Sequence, residues 1–156
     1  VELTLHAGEI NIPVRPSGNQ DERKFPPPEA DPPWQIEVLR SPKNKRRQIT
    51  DMTTGIVTLE IVDDFGSTKD LDHGLVHGSV ARKWWSIQPD DPLSASGRTH
   101  WTYENSRSDW SVRTETYTNM TSDAKYFHLT ASLEAYENNN LVFKKEISER
   151  IERDHR

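Results

Sequence analysis

Phe127-His128-Leu129-Thr130-Ala131-Ser132-Leu133-Glu134-Ala135-Tyr136 is the stretch that decides how this chain folds. Apolar residues fill every second position (Phe127, Leu129, Ala131, Leu133 and Ala135), and more polar ones stand between them. A period of two sends alternate side chains to opposite faces of a strand, whereas a helix face recurs about every 3.6 residues. Downstream, Asn138-Asn139-Asn140 turns the chain into Leu141, Phe143 and Ile147. Upstream, Trp110, Val112, Thr114 and Thr116 share one face, as do Thr99, Trp101 and Tyr103. Ser79 to Gln88, with Trp84-Trp85, and the Val57, Leu59, Ile61 alternation extend the pattern. Threonine and aromatic residues suit a pleated surface, and short turns pair neighbouring strands.

The fold class that follows is all-β: an antiparallel meander curling into a barrel or half-barrel, with the aromatics packed as its core. The end of the chain, from Lys144, admits two readings. Ile147 and Ile151 stand four apart among charges, as on a short C-terminal helix, yet the stretch can also continue the last strand. Residues 1–16 alternate at Leu3, Leu5, Ile10, Ile12 and Val14, and read as closing strands of a preceding β domain. Residues 17–33 are a proline-rich linker, with Pro26-Pro27-Pro28 and Pro32-Pro33, because proline fixes φ and donates no hydrogen bond. Residues 34–156 are the antiparallel β domain, entered by an apolar strand from Trp34 to Leu39 and a basic loop from Lys43 to Arg47.

Composition limits function. Of 156 residues only 32% are hydrophobic, which suits a sheet with one wet face. A net charge of −5 gives no electrostatic support for nucleic acid or an anionic membrane, and no apolar run is long enough to span a bilayer. The absence of cysteine removes disulfides and thiolate chemistry and fits a reducing, cytoplasmic setting. The chain begins at Val1 without a signal-peptide pattern, and is expected to be a segment of a larger protein.

No G-x-S-x-G elbow is present, and Asp64-Phe65-Gly66 lacks every other kinase element. Asp63, Asp64, Asp70, Asp72 and His73 gather carboxylate and imidazole ligands for a divalent cation. Their spacing fits no EF-hand, and the expected arrangement is a polar loop whose Asp side chains bond their own turns, with Gly66, Gly74 and Gly78 at positive φ. Neither a cofactor nor a bound metal is expected. On the polar side of the strands, His100 and His128 are expected as solvated cross-strand neighbours, and would line a cavity with Glu115 and Tyr117 only if the sheet curls with that face inward. An independent enzyme would need His100, His128, Glu115 and Asp109 to converge on one cleft.

Longer phrases carry a resemblance. Thr58-Leu59-Glu60-Ile61-Val62-Asp63-Asp64-Phe65-Gly66, Asp72-His73-Gly74-Leu75 and Trp85-Ser86-Ile87 lead into Asp90-Asp91-Pro92-Leu93-Ser94-Ala95. Asp109-Trp110-Ser111-Val112-Arg113-Thr114-Glu115-Thr116 and Phe127-His128-Leu129-Thr130-Ala131 follow, ending in Leu133-Glu134-Ala135-Tyr136-Glu137. Together these resemble the far C-terminal region of bacterial CocE/NonD-type hydrolases, the peptidase S15 or X-Pro dipeptidyl-peptidase-like family. Leu3-Thr4-Leu5-His6 and Ile12-Pro13-Val14-Arg15-Pro16 resemble closing strands of that family's jelly-roll domain. The tail departs from the pattern, with Glu152 where a proline would follow Ile151.

The resemblance implies an α/β-hydrolase domain with a Ser-Asp-His triad elsewhere in the parent, so no catalytic residue is carried over to this chain. It further implies an accessory unit with a structural or interaction role, partnered by the parent hydrolase domain in cis or by self-association. The alternative is a small-ligand-binding β module. The first expects an exposed apolar patch, and the second a pocket lined by aromatics.

Overall fold

The computed structural model describes Thr4, residues 6–14 and residues 25–154. The chain divides into two units, Val1–Pro32 and Pro33–Arg156. Among the described residues of the first unit there is no helix or strand. Ile10, Ile12 and Val14 alternate as expected but are exposed and have no paired strand, so their alternation buries nothing. The expected strand residues Leu3, Leu5, Arg15 and Pro16, and residues 17–24 of the expected linker, lie outside the described residues.

The second unit is one antiparallel sheet. Its strands are β1 (Ile36–Arg40), β2 (Lys43–Thr50), β3 (Val57–Asp70), β4 (Val76–Gln88), β5 (Asp91–Arg107), β6 (Trp110–Ser122), β7 (Tyr126–Glu137) and β8 (Asn140–Glu152). From β3 to β8 each strand pairs with the next, and β1 and β2 both pair with β3, so together they make one interrupted edge. The sheet does not close: β8 is the other edge. It is thus an open, all-β meander, with no helix among the described residues. The hairpin turns are tight because residues tolerant of positive φ occupy them, notably Asn138 and Asn139 at φ 47 and 67.

Three expectations change. Ile147 and Ile151 share a face in β8, because a spacing of four is even and satisfies a strand as well as a helix. Pairing of β8 to β7 settles the choice, with Ala131 opposite Ile147 and Phe127 opposite Ile151. The basic run Lys43–Arg47 is strand β2 and not a loop, because its alternating cations lie against acidic β3: Arg47 opposite Glu60, Lys43 opposite Asp64. Asp63 to Asp70 likewise belongs to β3, with a bulge between Asp64 and Ser67.

Gly66 and Gly74 take φ of 81 and 73, as the turn chemistry requires, whereas Gly78 does not. Gly78 instead allows close approach of strands, since a Cβ there would come within 3.2 Å of Ser67 Cβ.

Directly opposed residues share a face, so the register sorts every side chain. One face carries Leu59, Trp85, Gly97, Met120 and Leu129 in one row, and Asp63, Ala81, Trp101, Thr116 and Leu133 in another. The other face carries Glu60, Trp84, Arg98, Asn119, Thr130 and Ser148, and beside them Arg82, His100, Tyr117, Ser132 and Glu146. Trp84 and Trp85, adjacent in sequence, therefore point to opposite sides.

The expected aromatic core does not form. Among the described residues Ala81 alone is a buried apolar side chain, while Trp85, Tyr103 and Trp110 are 46%, 44% and 41% exposed. Among the described residues of this unit, no second layer packs against the aromatic face. Phe65 and Trp101 stack across that face at 6.1 Å, and Trp85 covers Gly97, where a Cβ would collide with its ring.

The bulge yields a paired prediction. A Cβ on Gly66 would run into the Arg40 carbonyl oxygen, whereas Gly74 has open space around it. Urea unfolding should find Gly74→Ala costing about 1 kcal/mol and Gly66→Ala about 3 kcal/mol, the difference being the collision.

Candidate functional site

The β5–β6 hairpin builds the centre of the polar face. Its two-residue turn at Ser108-Asp109 sets His100 opposite Tyr117 and Thr102 opposite Glu115. The His100 and Tyr117 rings stack at 4.2 Å with an interplanar angle of 10°. Glu115, only 9% exposed, lies 2.5 Å from His100 Nε2, accepts from Thr102 Oγ1 at 2.9 Å, and pairs with Arg113. A carboxylate can only accept, so His100 donates through Nε2–H. Burial pushes the Glu115 carboxyl up, but hydrogen bonds from His100, Thr102 and Arg113 together outweigh it and hold the group below its ordinary value of 4.5.

The network continues outward. The Arg113 guanidinium lies 4.1 Å from the Tyr136 ring centroid, and Tyr136 donates to Glu134 at 2.7 Å. Lys144 reaches both Glu134 and Glu146, at 3.5 Å and 3.0 Å.

Beside this network runs a groove of about 590 Å³ across β4 to β8. Trp84, Arg98, His100 and Tyr117 are its tall residues, and Asn119, Thr130, Ser132 and Ser148 its short ones. The depression follows from side-chain size: Tyr117 is opposed by Ser132, and Asn119 by Thr130. Arg98 lies over the Trp84 ring at 4.6 Å.

The sequence candidates separate into those the fold brings together and those it scatters. His100, Glu115 and Tyr117 meet as expected if the polar side lines a cavity. His128 shares their face but not their site. It pairs with Thr121 across the sheet, four residues along β7 from the Ser132 that opposes Tyr117, which is about 13 Å at strand rise. There His128 Nε2 bonds Asp123 at 2.7 Å. Asp109 sits in the β5–β6 turn, so the four-residue enzymatic set does not converge.

The metal candidates are spread as well. Asp63 and Asp64 are neighbours in a strand and face opposite ways, toward Ala81 and Val80 respectively. Asp63 pairs with Arg46 at 2.5 Å and Lys83 at 3.4 Å, and Asp64 with Arg40 and the Gly66 amide. Asp70 caps its turn by accepting from the Asp72 and His73 amides at 2.8 Å and 3.2 Å, and its other oxygen is 3.2 Å from His73 Nε2. Among the described residues no three acidic or imidazole groups are placed to share an ion, and no helix is long and apolar enough to cross a membrane.

Sequence reasoning grouped Trp84 with the other aromatics, as core or as a stacking platform, and missed Arg98, Asn119, Thr130, Ser132 and Ser148 as groove residues. The available signal was parity: each falls on the His100 side of its strand once the hairpins are aligned. No family model, curated protein or solved structure matches the chain.

The depressed carboxyl sets a pH response. Because its folded pKa lies below its unfolded one, Glu115 contributes stability above the ordinary carboxylate range and loses it as pH falls through the folded pKa. Glu115→Gln mimics the protonated side chain and should cost about 1–3 kcal/mol at neutral pH. The stability gap between wild type and variant, followed by thermal melts, should close as the pH is lowered below the carboxylate range. A gap independent of pH would mean the charge is not what the network uses.

Proposed function

We propose that this chain is a non-catalytic accessory sheet of an S15/CocE-type serine hydrolase, held against the hydrolase part of its parent by the aromatic face. The observation that carries the reading is that face itself. Leu59, Trp85, Ile87, Met120 and Phe143 are all 42% or more exposed, on a sheet that is a single layer among the described residues of its unit. Exposed apolar side chains gathered on one face mark a surface that another body covers. The sequence phrases that resemble the CocE/NonD C-terminal region supply the identity of that body.

Two further observations support a non-catalytic role. His100 has a carboxylate partner in Glu115, and among the described residues no serine or threonine hydroxyl is bonded to it as the nucleophile of a triad would be. Ser79, the serine of the Gly78-Ser79 pair, is buried at 5% exposure on the aromatic face and away from His100.

An immunoblot of the source cells with antibody raised against this chain tests the assignment. A band far heavier than the chain is expected. A band at the chain's own mass, without a heavier precursor, would overturn it. In the isolated chain, Met120→Ser combined with Phe143→Ser should cost about 1 kcal/mol or less per site. Within the parent, the same pair should loosen the sheet from the hydrolase part, read as its earlier release in limited proteolysis.

A further inference from the structure

We propose that the groove on the polar face is a binding site for a neutral sugar ring, seated against Tyr117 over the floor formed by Thr130, Ser132 and Ser148. The site lies on the opposite face from the docking surface, so the inference does not rest on the accessory-sheet reading.

The first argument is the contrast in hydrogen bonding across one face. Next to the groove, polar groups satisfy one another: His100, Thr102 and Arg113 converge on Glu115, Arg47 and Lys45 on Glu60, and Tyr136 and Lys144 on Glu134. Within it, the side chains of Asn119, Thr130, Ser132 and Ser148 line about 590 Å³ of open space and hold no hydrogen bond to any described residue. Hydroxyl and amide groups of this kind both donate and accept. They match a ligand that does the same at several points around its edge.

The second argument is ring geometry. His100 covers one face of Tyr117 at 4.2 Å, and on β7 the residue opposite Tyr117 is the small Ser132. The tyrosine is 41% exposed. It is therefore braced from the β5 side and open toward β7, a fixed flat wall beside a hydroxyl floor. Trp84 supplies a second ring on the β4 side, with the Arg98 guanidinium lying over it. A flat, weakly polar ring face fits against such a wall while its edge hydroxyls reach the floor.

The third argument is charge. The groove presents one cation, Arg98, and one anion, Glu146, which Lys144 holds at 3.0 Å. A phosphate or carboxylate ligand gains from Arg98 what it loses at Glu146. A neutral polyhydroxylated ring satisfies the walls and the floor together. The volume lies within the usual range for small-ligand sites, about 300–1,000 Å³.

The test is a titration of the isotope-labelled 156-residue chain, followed by amide NMR. The probes are glucose, galactose, mannose, N-acetylglucosamine, maltose and cellobiose at millimolar concentrations, with adenosine and octanoate as competing ligand classes. At least one sugar should move the amides of residues 117–119 and 130–132 in a saturable way. Tyr117→Ala should weaken that binding about tenfold or more, the loss of one stacked ring together with its contact area. Ser132→Tyr, which fills the floor without removing a ring, should abolish it while leaving the remaining amide spectrum native. Silence from every sugar would overturn the proposal, as would saturable shifts of these amides by adenosine or octanoate alone. Binding that survives Ser132→Tyr in a folded chain would overturn the location.

Discussion

A sheet one layer thick has almost no interior, so what holds it is the pairing between strands and not a packed core. The burial pattern makes the point in an unusual form. Glu60 and Glu115 are among the most buried side chains described, at 7% and 9% exposure, whereas large apolar residues line an open face. Each carboxylate is enclosed by cations and donors from a neighbouring strand, and Glu115 also by Arg113 of its own strand. Glu60 receives Arg47 Nε at 2.7 Å and Lys45 at 3.8 Å from β2, and Glu115 receives His100, Thr102 and Arg113. Removing one partner from such a group costs far more than the pair contributes net, because a desolvated charge is left behind. These networks therefore specify register: a strand slipped by one residue would turn each carboxylate to the aromatic face.

The same arrangement explains why two such different faces coexist. On the polar face, ionic and hydrogen-bonded pairs bridge β2 to β3 and β5 to β8, and the groove opens where the residues become small. On the aromatic face, Phe65 on Trp101, Trp85 on Gly97 and Lys83 5.7 Å from the Trp101 ring bury what one layer can bury. The rest stays in contact with solvent. The edges are managed by charge: β2 presents Lys43, Lys45, Arg46 and Arg47, and β8 presents Lys144, Lys145 and Arg150, which discourage open-ended strand addition.

Much of this was legible in the residues, and the gaps have physical causes. The strict alternation from Phe127 to Tyr136 fixed strand character, and short polar turns fixed the meander. His100, Glu115 and Tyr117 meet because a tight hairpin leaves little freedom in pairing β5 with β6. His128 was grouped with them because face is visible from parity, whereas position along the strand depends on the register across the longer β6–β7 turn. The basic β2 strand escaped notice because its pattern is a charge complement to Glu60, Asp63 and Asp64, and such complements appear only once the two segments are paired. Trp84 was hidden by its neighbour Trp85, since two adjacent indoles read as one apolar cluster until the pleat separates them. The aromatics suggested a core because propensity says nothing about whether a second layer exists.

Hydroxyl-radical footprinting of the isolated chain as a dilute monomer, read residue by residue in a mass spectrometer, tests the single-layer account most directly. Trp85, Tyr103, Trp110, Met120 and Phe143 should be oxidised rapidly in the native protein, with Glu115 and its neighbours on the polar face protected by their network. Strong native protection of that aromatic set would mean that a further layer of this same chain covers it, and would contradict the open sheet on which the account rests.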